Sequence, residues 1–154
     1  MEQFTVKQID DLNEEELTQM VEESKREGFR FLDRLIRDYK NGSNAFDQRG
    51  ESLWGVFDQD GQCVAIGGLN RDPYTNETSI GRLRRFYVSC TFRRMGLGTL
   101  LLRRIIHEAN LHFHVLVLHT DTEQGDQFYT SFGFVQETRY PHSTHCLRLK
   151  SLWT

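Results

Sequence analysis

The residues best suited to chemistry lie in one short segment, Arg93-Arg94-Met95-Gly96-Leu97-Gly98-Thr99. It follows the strand-like run Phe86-Tyr87-Val88 and precedes a leucine-rich, helix-like one. At a strand-to-helix junction the first helical N–H groups have no intrahelical partner and the dipole is positive, so the loop suits an oxyanion. Gly96 and Gly98 lack a Cβ, which lets the backbone close on phosphate oxygens, and Arg93 and Arg94 add charge-assisted donors. No Lys-Ser/Thr pair follows the glycines, and the third glycine of the dinucleotide fingerprint is missing, so the loop is neither of those two phosphate binders.

The charge pattern points the same way. Positions 78–107 contain no Asp or Glu but seven Arg: 82, 84, 85, 93, 94, 103 and 104. Those seven come out of 19 basic residues, which leaves 12 against 22 acidic ones, a net charge of −10 for the rest of the chain. A basic block inside an otherwise acidic protein implies a local anionic ligand rather than a general nucleic-acid surface. Recognition of nucleic acid by this block needs its arginines on one exposed face with interleaved aromatics, and Arg93 and Arg94 belong to the loop instead. Cys63, Cys90 and Cys146 have no CxxC spacing, and neither His112/His114 nor His142-x-x-His145-Cys146 closes a four-ligand set, so no metal is expected. No run approaches the roughly 18 apolar residues of a membrane span. The N-terminus lacks a basic-then-apolar leader pattern, so a cytoplasmic protein with no membrane segment is expected.

Several elements position the loop. Asn13-Glu14-Glu15-Glu16 predicts an N-capped first helix with Leu17, Met20 and Val21 inward, ending at Gly28. Leu32, Leu35, Ile36 and Tyr39 predict a second helix stopped by Asn41-Gly42. The polar segment 43–50 reads as a loop bordering a substrate entrance. Strand runs 52–57 and 63–69 flank Asp58-Gln59-Asp60-Gly61, a hairpin signal. A strand over 81–88, a helix over 96–110 with Leu97, Leu100, Leu101 and Ile105 inward, and a buried strand over 113–118 form a strand–crossover–strand unit. A short helix over 123–131 and strands near 134–139 and 145–152 complete a mixed α/β chain that reads as one domain, 1–154.

Arg93-x-x-Gly96-x-Gly98 resembles the Gln/Arg-x-x-Gly-x-Gly/Ala loop with which the GCN5-related N-acetyltransferase (GNAT) family grips the pyrophosphate of acetyl-CoA. About 30 residues further on, Tyr129-Thr130-Ser131-Phe132-Gly133-Phe134 resembles that family's short helix bearing a Tyr before Gly-Phe. The resemblance covers 81–134 closely and implies an acyltransferase fold: a central mixed, mostly antiparallel sheet with helices on both faces. It also implies transfer of acetyl from acetyl-CoA to a primary amine of a small molecule or peptide. The backbone of Phe86, Tyr87 and Val88 would pair with the pantetheine arm, and the segment Arg94, Met95, Gly96, Leu97, Gly98 and Thr99 would hold the pyrophosphate. Tyr129 would be the general acid that protonates the departing thiolate, since a phenol keeps its proton at neutral pH.

Three positions depart from the family pattern. Many members carry a Glu as base where Arg82 stands here, an Asn where Thr122 stands, and an Ala where Gly125 stands. Glu77, His142 and His145 are the alternative bases, with ordered water as a further route. Arg82, Arg84 and Arg85 include a reader either of the coenzyme 3'-phosphate or of an acidic acceptor. The resemblance implies an acceptor pocket built by 29–50 and 139–145; the acidic remainder of the chain is compatible with a cationic amine and equally with an ordinary solvated exterior. A homodimer is compatible with the sequence. A non-catalytic acyl-CoA-binding sensor is the alternative function, and coenzyme-dependent thiol release distinguishes it from an enzyme.

Overall fold

The computed structural model describes residues 3–150. Strands β1 (Thr5–Gln8), β2 (Ser52–Phe57), β3 (Cys63–Arg71), β4 (Ile80–Val88), β5 (Val115–Leu118), β6 (Val135–Gln136) and β7 (His145–Arg148) form one sheet in the order β1-β2-β3-β4-β5-β7-β6. Every neighbouring pair is antiparallel except β4 and β5. Helices α1 (Glu14–Arg26), α2 (Phe31–Asn41), α3 (Leu97–His112) and α4 (Glu123–Thr130) cover the two faces. One apolar cluster joins α3 to one face through Leu101, Leu102 and Ile105, and the other joins α1 and α2 to the opposite face through Leu17, Met20, Leu32 and Leu35. The mixed, mostly antiparallel sheet with helices on both faces matches the fold implied by the sequence.

Local signals set the element ends. The Asn13 carboxamide accepts from the Glu15 N–H at 3.0 Å, and Glu14, Glu15 and Glu16 favour the positive end of α1. Gly42 closes α2 in the left-handed region at φ +83°. The Asp58 carboxylate accepts from the N–H groups of Asp60 and Gln62, which closes the β2–β3 hairpin.

Four expectations change. β1 is absent from the sequence reading because it is an edge strand with only Val6 partly buried, so it lacks an alternating pattern. Leu100 is 42% exposed, while Leu97, Leu101, Leu102, Ile105 and Ala109 face the core. A run of three leucines hides which one leaves the helical stripe. The loop 43–50 does not border the main cleft; it lines a separate hollow of about 160 Å³, and Phe46 fills the space left by the missing Cβ of Gly68. The closing strands are shorter than read, and Ser151 and Leu152 lie outside the described residues.

One irregularity shapes the site. β4 pairs with β3 through Ile66↔Tyr87 and then Gly68↔Arg84, so two residues, Arg85 and Phe86, oppose the single Gly67. This bulge, with Arg85 at φ +59°, bends β4. On its other side β4 pairs with β5 only over Ile80↔Val115, Gly81↔Leu116 and Arg82↔Val117. Beyond Arg82 the two parallel strands part, and the edge of β4 leading to Val88 opens into a cleft of about 1140 Å³.

Candidate active site

The glycine-arginine loop sits where β4 ends. Gly96 adopts φ +80°, and the first bond of α3 runs from the Leu100 N–H to the Gly96 carbonyl at 3.0 Å. Among the described residues the N–H groups of Leu97, Gly98 and Thr99 meet no acceptor, so three donors converge at the positive end of a long helix. Arg94 has no ion pair among the described residues and stands in the left-handed region at φ +69°. A Cβ on Gly98 would lie 3.4 Å from both Phe128 and Val88, an ordinary contact. Met95 projects outward and is 51% exposed, whereas Leu97 is buried under the loop.

Arg93 is engaged in a different way. Its guanidinium donates to both Glu27 oxygens at 2.7 and 2.8 Å, its Nε donates to the Val88 carbonyl at 3.1 Å, and it lies over the Tyr87 ring. The Tyr87 hydroxyl donates to the same carboxylate. This clasp ties the end of β4 to the end of α1. The hydrogen bonds from Arg93 hold the Glu27 carboxyl below its ordinary range, and burial, then Glu27, pushes the Tyr87 phenol up.

Tyr129 lines the cleft from α4 and is 9% exposed. Its ring packs against Phe86, Phe128 and Phe134 at centroid distances of 6.1, 5.2 and 5.7 Å. Among the described residues its hydroxyl makes no hydrogen bond, and burial pushes its pKa above the ordinary value, so it holds its proton at neutral pH. Thr122 caps α4 by accepting from the Gly125 N–H at 2.9 Å. Gly125 has a steric cause as well: a Cβ there would collide with the Thr120 hydroxyl oxygen.

Arg82, at the position where a base was sought, is a buried strut. It donates to Asp72 Oδ1 at 2.9 Å, to the carbonyls of Pro141 and His142 at 2.9 and 3.0 Å, and to the Ser143 hydroxyl at 2.6 Å. Its guanidinium also lies 4.8 Å from the centre of the Tyr74 ring, which stacks on the His142 imidazole at 4.2 Å. Arg82 and Tyr74 thus hold His142, at φ +60°, on the cleft wall. Of the three alternative bases only His142 lines the cleft. Glu77 lies in the exposed turn before β4. His145 is buried between the Thr144 hydroxyl and Asp126, whose carboxyl it holds below the ordinary range. No group of three or more metal-ligating side chains occurs among the described residues.

The sequence reading missed Arg34, Tyr74, His119 and Asp121, all of which line the cleft. His119-x-Asp121 just after a buried strand was the one local signal available for two of them.

A family model described as "Acetyltransferase (GNAT) domain" matches residues 49–136. The chain is similar in structure to a candidate acetyltransferase of Exiguobacterium sp. 255-15, at 30% identity over 95% of this chain and 93% of that one, with a TM-score of 0.82. It shares its fold with an acetyltransferase of Streptococcus agalactiae 2603, at 19% identity over 95% and 98% of the chains and a TM-score of 0.74. It also shares it with a GNAT-family acetyltransferase of Staphylococcus aureus MU50, at 18% identity over 95% and 100%, TM-score 0.67. No curated relative matches by sequence. The chain belongs to the GNAT acetyltransferase family.

Proposed function

We propose that this chain is a single N-acetyltransferase domain, 1–154, that moves acetyl from acetyl-CoA to a primary amine of a small molecule or peptide in the cytoplasm. One observation carries the reading: the open edge of β4 runs directly into the unpartnered N–H groups of Leu97, Gly98 and Thr99. The edge at Phe86, Tyr87 and Val88 fits an amide-bearing arm that adds as a strand, and the N–H groups with Gly96 and Arg94 fit a diphosphate. Met95 spaces the loop, and Arg93 positions it through Glu27 and the Val88 carbonyl. When bound, acetyl-CoA supplies the thioester carbonyl carbon that a neutral amine attacks.

Tyr129 Oη holds a proton at neutral pH and gives it to the sulfur as the C–S bond breaks. Its apolar surroundings disfavour a thiolate as much as a phenolate, which keeps donor and acceptor matched. The His142 imidazole, held by Arg82 and Tyr74, takes the proton that the attacking nitrogen loses. The test is Tyr129→Phe, which removes one oxygen without disturbing the ring cluster. Thiol release with an accepted amine should fall about 100-fold or more, with acetyl-CoA affinity by calorimetry unchanged. Unchanged turnover and pH profile would refute the assignment of Tyr129.

A further inference from the structure

The cleft wall carries six arginines and one carboxylate, Asp121, and that carboxylate already faces His119 at 3.3 Å. Two of the six are spoken for: Arg82 by Asp72 and Arg93 by Glu27. Arg94 stands at the phosphate loop. The remaining three, Arg34 from α2 and Arg84 and Arg85 from β4, gather at the other end of the cleft.

Their placement follows from the bulge. Side chains alternate along a regular strand, but the extra residue opposite Gly67 breaks the alternation, so neighbours Arg84 and Arg85 both reach the cleft. Arg85 adopts φ +59° to do so, a region that side chains larger than glycine avoid. Among the described residues its one ion pair is to Asp38 at 3.9 Å, and Asp38 also accepts from Arg37 at 3.4 Å. Arg34 and Arg84 have no ion pair and no side-chain hydrogen bond among the described residues. Burial, then the charges of Arg84 and Arg34, holds the Arg85 guanidinium below its usual value, as expected for like charges crowded against one another. Three guanidinium groups thus share one carboxylate, Asp38, which Arg37 also engages, so the cluster carries excess positive charge.

The coenzyme phosphates do not offset that charge. The loop that suits them lies beyond Val88, whereas Arg84 is four residues before it, about 13 Å back along the strand. The acceptor does. We infer that the acetyl acceptor is an amine that also carries an oxyanion, a carboxylate or a phosphate, and that Arg84 and Arg34, with Arg85 beside them, bind that group. This inference rests on the acetyl-transfer reading. The acidic exterior does not decide the substrate's charge, because the field inside a cleft is set by the groups that line it. A diamine would place its second ammonium against unneutralised guanidinium groups, while an oxyanion gains forked, charge-assisted hydrogen bonds.

The experiment uses the full chain and matched amines: β-alanine, its amide, aminoethylphosphonate and diaminopropane. Coenzyme A release gives kcat/KM, and calorimetry on coenzyme A-saturated protein gives affinity. The anionic amines should exceed the amide and the diamine by about 10- to 100-fold in kcat/KM, with the carboxylate and phosphonate arms showing which oxyanion is preferred. In Arg84→Gln that ratio should fall toward one, Arg84→Lys should restore part of it, and Arg34→Gln, on an exposed helix position, serves as a second variant that leaves the core untouched. Preference for diaminopropane, or a ratio indifferent to both arginines, would overturn the inference. If aminoethylphosphonate binds in an Arg84-dependent manner while no thiol is released, the transferase reading falls and the anion site stands. If transfer proceeds but favours the cation, the anion site falls and the transferase reading stands.

Discussion

Replacing Arg82 by Met tests whether the residue in the expected base position is a strut. Arg82 is 4% exposed, and the Asp72 side chain beside it is fully buried, with Oδ2 lacking any hydrogen-bond partner among the described residues. Met keeps most of the aliphatic volume but removes four donated hydrogen bonds and leaves the Asp72 carboxylate without a counter-charge. Breaking a buried pair from one side costs about 3–5 kcal/mol. With a urea slope of about 2 kcal/mol/M for a domain of this size, the midpoint should fall by roughly 1.5–2.5 M. The double variant Arg82→Met/Asp72→Asn removes the stranded charge along with its partner, and should regain part of that loss. Urea unfolding followed by tryptophan fluorescence and far-UV circular dichroism reads both. A midpoint lowered by less than about 0.5 M, or a double variant no more stable than Arg82→Met alone, would refute the reasoning. Acetyl transfer should suffer too, because the same guanidinium holds the His142 carbonyl.

The two loop glycines should respond in opposite ways. Gly96→Ala forces a Cβ into φ +80° and should cost about 1–2 kcal/mol in thermal or urea melts, whereas Gly98→Ala meets only ordinary contacts inside a helix and should be neutral or stabilising by up to about 1 kcal/mol. Gly125→Ala should destabilise by about 1–3 kcal/mol because its Cβ meets the Thr120 and Thr122 hydroxyl oxygens, and adding Thr120→Ala should recover part of the loss. Glu27 is held below its ordinary range by Arg93, so the unfolded chain binds its proton more readily. Its contribution is complete above the usual carboxylate range and is lost as pH falls through the depressed folded value. Both partners are partly exposed, at 31% and 42%, so the pair is worth only about 0.5–1 kcal/mol. Denaturation against pH should therefore show Glu27→Gln less stable than the parent above about pH 5, with the gap closing toward pH 2.

What was legible in the sequence was what neighbouring residues decide. The caps of α1 and α2, the Asp-Gly hairpin and the strand, loop and helix around Gly96 and Gly98 rest on contacts within a turn or two, so their residues announce them. Leu100 shows the limit even there: three successive leucines satisfy a helical stripe in more than one way, and only packing chooses.

The sequence by itself determined that a glycine-arginine loop suited to an oxyanion joins β4 to α3, and that Tyr129 belongs to the same motif set. Tertiary structure alone decided where the other charges go. Arg82 finds its partners 10 residues back at Asp72 and about 60 residues on, at Pro141, His142 and Ser143, a distance no local pattern encodes. Arg34 joins Arg84 and Arg85 because α2 packs over a bulge whose existence depends on how β3 and β4 register. Composition averages charge along the chain, but a substrate meets only the charges that folding brings to one wall, and here that wall is basic inside an acidic protein.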